Sequence, residues 1–239
     1  MRNEMDKLKR YFWFSKDEWK ALLITVIVFA FILSFNFWGA ETFDAQVGFT
    51  NFIIAIVVVA LSLFVHHAAH RVYGIYQGYK VEHKLWWYGL LASLIITLVS
   101  GGTILAFMAA GVFIRPLRYH RLGRFRRFMQ VQDMSRTAVV GPLASLLVAA
   151  IATAGTGYFF DRLLIFNLLY AAYSFLPIPP LDGSRIFFAS RFWYVFTFIA
   201  IISYAILVYA STVSLLANII VSLIVGFIAA AVFYALIET

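Results

Sequence analysis

The chain has 239 residues, 63% of them hydrophobic and 13% charged, with a formal net charge of +8. Water-soluble domains are about 45–50% apolar and about 25% charged, so a soluble globular domain is excluded. Cysteine is absent, which excludes disulfides and thiolate metal sites and leaves imidazole and carboxylate as the metal ligands.

The apolar excess is gathered into runs of roughly 20 residues, the length at which a helix crosses a bilayer. The fold class expected is an all-α polytopic membrane protein, one domain over residues 1–239 with about six transmembrane helices. Residues 1–18 read as a mixed-charge cytoplasmic lead-in. Ser15 and Glu18 have the spacing of a capping box, and a first span follows over about Trp19–Trp38. It has no small-residue cleavage pattern and reads as a retained span. The loop after it carries Glu41 and Asp44 and no base, which makes it external.

A second span runs inward from about Thr50 to the stretch "VHHAAHR", Val65–Arg71. The basic segment "GIYQGYKVEHK" then reads as cytoplasmic or interfacial. Residues 85–114 are almost wholly apolar with basic segments at both ends, so a single crossing would put one of those segments outside. A re-entrant hairpin broken at Ser100–Gly102, or two short crossings, avoids this. Non-helical backbone at that depth must be buried in protein or line a wet cavity.

Residues 115–136 contain seven Lys or Arg. In a membrane protein such a run marks a cytoplasmic loop held near anionic head groups, so nucleic acid is not the expected partner. A helix over about Ala138–Tyr158 goes out, Asp161 and Arg162 form an external turn, and a helix over about Leu163–Leu176 returns. The segment "PIPPLDGSR", Pro177–Arg185, holds three of the five prolines and interrupts the helix. Helices over about Phe192–Ala210 and Val213–Ala235 complete an integral multi-pass protein with both termini cytoplasmic. On this topology every basic residue except Arg162 is cytoplasmic, and the lipid bilayer is the first partner.

Of the eleven acids, Asp182 alone falls in a broken apolar stretch between two spans. An ionisable group at such depth is a functional-site hypothesis by default. His66 and His70 lie one helical turn apart on one face, at the depth where the topology puts Asp182. Two imidazoles and a carboxylate can hold Zn²⁺ and leave a fourth position for water. The competing reading makes the histidines interfacial and pairs Asp182 with Arg185. A haem or metal-transport bundle would want His pairs on two helices, whereas His83 and His120 both lie in segments read as cytoplasmic.

These residues resemble a known family. "HHAAH" is similar to the HExxH motif of zinc peptidases. "SFLPIPPLDGSR" resembles the "NLLPIPPLDG" signature of site-2 proteases, the membrane-embedded metalloproteases, and "GPLASLL" (Gly141–Leu147) resembles their "GPLANLL". The resemblance covers the chain from Ser15 onward. It implies Zn²⁺ on His66, His70 and Asp182 in a water-accessible cavity within the bilayer, and cleavage of a transmembrane substrate helix.

Three departures fall at the site. His67 stands where the family has its catalytic glutamate, and Ser145 and Ser174 stand at its asparagine positions, which the resemblance marks as substrate-positioning. Loss of a general acid–base group typically costs about 10²–10⁴ in rate, although an imidazole can carry a proton. His67 as a third metal ligand would need adjacent helix positions, about 100° apart, to share a face. Two functions therefore remain: an intramembrane protease with altered acid–base chemistry, or a pseudoprotease that binds metal and membrane partners without cutting.

Overall fold

A computed structural model describes residues 2–39, 42–117, 130–210 and 214–237. It is mostly helical, with α1 Arg2–Tyr11, α2 Lys16–Ser34, α3 Ala45–Gln77, α4 Trp87–Val99, α5 Val131–Ala152, α6 Tyr158–Ser174, α7 Asp182–Ala189, α8 Arg191–Ala210 and α9 Leu215–Ile237. Glu41, the middle of the basic segment (residues 118–129, with His120) and residues 211–213 lie outside the described residues.

The all-α expectation needs one correction. Strands β1 Tyr79–Leu85 and β2 Ala110–Pro116 pair as an antiparallel ribbon. The reason is visible in "YKVEHKL": Tyr79, Val81 and His83 are buried while the residues between them are less so. That is the two-residue period of a strand with one covered face. Val112 and Ile114 of β2 complete the covered side.

Four of the described helices, α3, α5, α8 and α9, are long and apolar enough to cross a membrane. The count of six expected from sequence is not reached by length and composition. The α6 helix has 17 residues, and α2 carries Lys16, Asp17, Glu18 and Lys20 in its opening turns. The external turn expected at Asp161–Arg162 is also displaced. Gly157, at φ 99°, starts α6 earlier, and Asp161 lies in its first turn, where a carboxylate is favoured by the helix dipole.

The segment between the strands enters and leaves side by side, since Lys80 lies opposite Arg115 and Leu85 opposite Ala110. Gly101 and Gly102, at φ 60° and 78°, make the reversal at its tip. Gly102 packs against Asn36, just beyond the end of α2, while at the base the His83 amide donates to Glu18 in the first turn of α2. The hairpin therefore runs the length of α2. Its returning limb is not helical, and its backbone needs partners. Ser93, Thr97 and Ser100 form one stripe on α4 and supply them. Met108 N donates to Ser93 Oγ (2.8 Å) and Ile104 N to Ser100 Oγ (3.1 Å). Thr97 Oγ1 donates to Ile104 O (3.3 Å). Ala106, Phe107 and Ala109 are buried, so these hydroxyl contacts pair part of a backbone that water does not reach.

Phe107 from this limb joins Phe29 of α2 and Phe166 and Tyr170 of α6, with ring centroids 4.9 Å (Phe107–Phe166) and 5.2 Å (Phe29–Phe107) apart. This aromatic core lies directly beneath His66, whose ring is 4.7 Å from Tyr170.

The capping box expected at Ser15–Glu18 is present, and Glu18 does more than cap. Its buried carboxylate accepts from Ser15 N, from His83 N and from Arg71 Nη2. Arg71 in turn donates to the carbonyls of Phe12 and Trp13 and stacks on Phe14. One buried ion pair thus ties the lead-in, α2, α3 and β1 together. Removing one partner of such a pair leaves an uncompensated charge at a cost of about 3–5 kcal/mol. Arg71→Met is therefore expected to lower unfolding stability in detergent by about that amount, with Glu18→Met/Arg71→Met recovering a large part. Equal stability of wild type and Arg71→Met in denaturant titration would show that the pair is not a tie.

Candidate metal centre

The α3 helix presents His66 and His70 on one face with their Nε2 atoms 3.2 Å apart. Asp182 is the first residue of α7, and its Oδ2 lies 3.2 Å from His70 Nε2 and 3.6 Å from His66 Nε2. All three side chains are buried. Local sequence explains how α7 reaches them. Helix α6 stops at Ser174, the proline segment turns the chain, and α7 starts pressed against the end of α6. A Cβ on Gly183 would overlap the Phe175 carbonyl, so the residue after Asp182 has room only for glycine. The same holds across the site, where a Cβ on Gly141 of α5 would overlap His70 Nε2. Gly141 is the glycine of "GPLASLL", and its lack of a side chain lets α5 close over the histidines.

The outer ring nitrogens are both engaged. His70 Nδ1 lies 2.7 Å from the Thr137 carbonyl and His66 Nδ1 2.9 Å from Ser145 Oγ. A carbonyl only accepts, so His70 Nδ1 carries the hydrogen, and in the neutral ring Nε2 is a bare acceptor. That lone pair faces a carboxylate oxygen and a second Nε2 in a buried site. With His66 in the same tautomer, its Nδ1–H donating to Ser145 Oγ, the converging atoms are all acceptors, which is unfavourable at such depth, and a cation among them removes the conflict. The donor set is two imidazole nitrogens and one carboxylate oxygen, each imidazole oriented through its other nitrogen. This matches a zinc site with an open fourth position. Among the described residues, His66, His70 and Asp182 are the group suited to hold a metal ion.

The competing pairing of Asp182 with Arg185 is also present, on the other oxygen. Arg185 Nη1 is 3.5 Å from Asp182 Oδ1, and Arg185 Nη2 donates to the Val112 carbonyl of β2. Arg185 therefore braces the carboxylate against the ribbon and leaves Oδ2 to the imidazoles.

The remaining sequence candidates separate. His67 is buried but stands outside the metal-binding group. Its ring lies 4.1 Å from that of His83, against 5.2 Å from His66 and 6.4 Å from His70. Its Nε2 has no hydrogen-bond partner among the described residues. Ser145 touches His66. Ser174 donates to the carbonyls of Tyr170 and Ala171 in its own helix (2.8 and 2.9 Å), so its hydroxyl is spent within α6.

Sequence reasoning passed over His83, which is brought to His67 as an inward residue of β1. Burial, opposed by the Glu18 carboxylate, holds it down at about 4, so its ring is neutral near pH 7. The alternation in "YKVEHKL" is the signal that marks it as inward. Thr137 acts through its backbone and leaves no sequence signal.

In sequence the chain is 28% identical over 191 residues to a protein of Methanocaldococcus jannaschii named "putative zinc metalloprotease", covering 73% of this chain and 85% of that one. No family model matches the chain, and no solved structure matches it significantly. The similarity and the buried His66–His70–Asp182 cluster together support a relationship to zinc metalloproteases and a zinc-binding site.

Metal analysis after dialysis against a weak chelator is expected to find one zinc per chain in the wild type and none in Asp182→Ala. Ser145→Ala should weaken zinc affinity about 10–100-fold, the usual effect of losing a group that orients a ligand. Equal zinc content in wild type and Asp182→Ala would refute the ligand set.

Proposed function

We propose that this protein is a site-2-protease-like intramembrane zinc metalloprotease, and that α2, α3, α5, α6, α8 and α9 cross the bilayer with residues 86–109 as a re-entrant hairpin. The observation that carries the reading is the burial of His66, His70 and Asp182 together inside a bundle of apolar helices. Basic residues support the orientation: with both termini cytoplasmic, His70, Arg71, Asp182 and Arg185 share one end of the bundle with the lead-in and the basic loop. The substrate class is a membrane-spanning helix that unwinds locally to reach the site.

When bound, Zn²⁺ would supply Lewis-acid polarisation of a peptide carbonyl and acidify a water. The chain's own residues do the rest. Thr137 and Ser145 hold the two imidazoles in one orientation, and Arg185 holds the carboxylate. His67 occupies the position of the proton carrier. Hydrolysis adds water across the C–N bond, and the proton leaving the water must reach the departing amine. The free Nε2 of His67 offers an acceptor for that transfer.

One observation favours a second reading, in which the protein binds metal and membrane partners without cutting. The His67 ring lies closer to His83 than to either ligand imidazole, and a group that stays there is not positioned to serve water at the metal. Cleavage of a fluorogenic transmembrane peptide in proteoliposomes distinguishes the two. The first reading expects zinc-dependent, chelator-sensitive cleavage by the wild type and a loss of at least about 10²-fold in His67→Ala. No wild-type cleavage combined with strong activity of His67→Glu would establish the second.

A further inference from the structure

At the end of the bundle opposite the metal centre, Arg162 lies in the opening turns of α6. No described carboxylate pairs with it, and its neighbour Asp161 is solvent-exposed. Its guanidinium stacks instead on the rings of Phe37 and Tyr158, 4.0 and 4.9 Å from their centroids. Both the Arg162 Nε and the Tyr158 hydroxyl are buried without a hydrogen-bond partner. Buried donors left unpaired are costly, about 1–3 kcal/mol each and more for a charged group. Two of them, side by side, call for an acceptor. The positive end of the α6 dipole lies at the same place and also favours an anion.

A groove of about 460 Å³ leads away from Arg162 between the antiparallel helices α6 and α8. Ile165, Leu169 and Ala172 form one wall and Ala205 and Ile206 the other. The small side chains of Ala172 and Ala205 leave space unfilled between the helices here, and Leu168, packed on Tyr204 and Val208, forms the floor. From Arg162 to Ala172 the groove follows α6 for about 15 Å at 1.5 Å per residue. It is open on the outer side, where Ile206 and Tyr209 are exposed. The lining holds one cation, at one end, and is otherwise almost wholly apolar.

We propose that this groove binds one anionic phospholipid, its phosphate on Arg162 and Tyr158 and an acyl chain lying between α6 and α8. Charge complementarity selects the occupant. The cation has no carboxylate partner among the described residues, and the walls match a hydrocarbon chain, so the site asks for a ligand with one anionic end and one apolar tail. A zwitterionic lipid satisfies the walls but brings its own cation to Arg162. Inorganic phosphate satisfies the guanidinium and leaves the walls empty.

Native mass spectrometry of the full-length protein in detergent, with phosphatidylglycerol, phosphatidylcholine or inorganic phosphate added in separate arms, tests the assignment. One phosphatidylglycerol is expected to bind, roughly tenfold tighter than phosphatidylcholine, as one charge-assisted hydrogen-bonded contact would give. Arg162→Gln should erase that preference. Ala172→Trp, which fills the groove and leaves the charge, should lower binding of both lipids; it keeps the test decisive if loss of the Arg162 stack impairs folding. Equal binding of the two lipids by the wild type would overturn the proposal. So would a preference that survives Arg162→Gln, lipid binding that survives Ala172→Trp, or inorganic phosphate that competes as well as the lipid does.

Discussion

The constraint on which the structure depends is the convergence of three potential metal ligands in a buried, apolar bundle. Asp182 Oδ2 and the Nε2 atoms of His66 and His70 lie within 4.8 Å of one another, and no described residue donates to all three. A cation satisfies them, and the surrounding elements exist in positions that keep them converged. The α5 helix fixes the tautomer of His70 through Thr137 and orients His66 through Ser145. Gly141 lets α5 approach this closely. Gly183 lets α7 start against α6, and Arg185 holds the second carboxylate oxygen. Each of these contacts restricts rotation of a ligand, which is how a site keeps its geometry before metal arrives.

A second polar network lies one residue away in sequence and supports the first. Arg71 follows His70, and its buried charge is balanced by Glu18, which also receives the His83 amide. His83 then packs on His67. The lead-in, the strand ribbon and the end of α3 therefore move as one piece. Displacement of any of them would expose Arg71 or strand it without a partner. The hairpin adds a related solution at depth. Its non-helical limb is helped by the hydroxyls of Ser93, Thr97 and Ser100, which lie one turn apart on the helix it packs against and pair the backbone of Ile104 and Met108 without water.

Much of the site was legible in the sequence because its rules are local or compositional. The i, i+4 spacing of His66 and His70 survives in any helix, and a carboxylate framed by prolines in an apolar stretch has few uses. The capping box at Ser15–Glu18 was legible for the same reason. What escaped depends on partners far apart in the chain. Nothing near Glu18 announces Arg71 or His83. The role of Ser145 appears only when α5 lies over α3. The strands were obscured because seven alternating residues beside long apolar runs read as an interface, and the register that pairs Lys80 with Arg115 is a tertiary fact. The start of α6 was misplaced because Asp161 and Arg162 look like a turn, whereas a glycine four residues earlier begins the helix.

The central claim is that zinc is held by two imidazoles and one carboxylate, with His67 outside the coordination sphere. X-ray absorption at the zinc edge of the purified, metal-loaded protein tests this most directly. The account predicts four-coordinate zinc with two imidazole scatterers at about 2.0–2.1 Å and the remaining ligands oxygen. Three or four imidazoles on the metal would bring His67, or His67 with His83, into the site and contradict it.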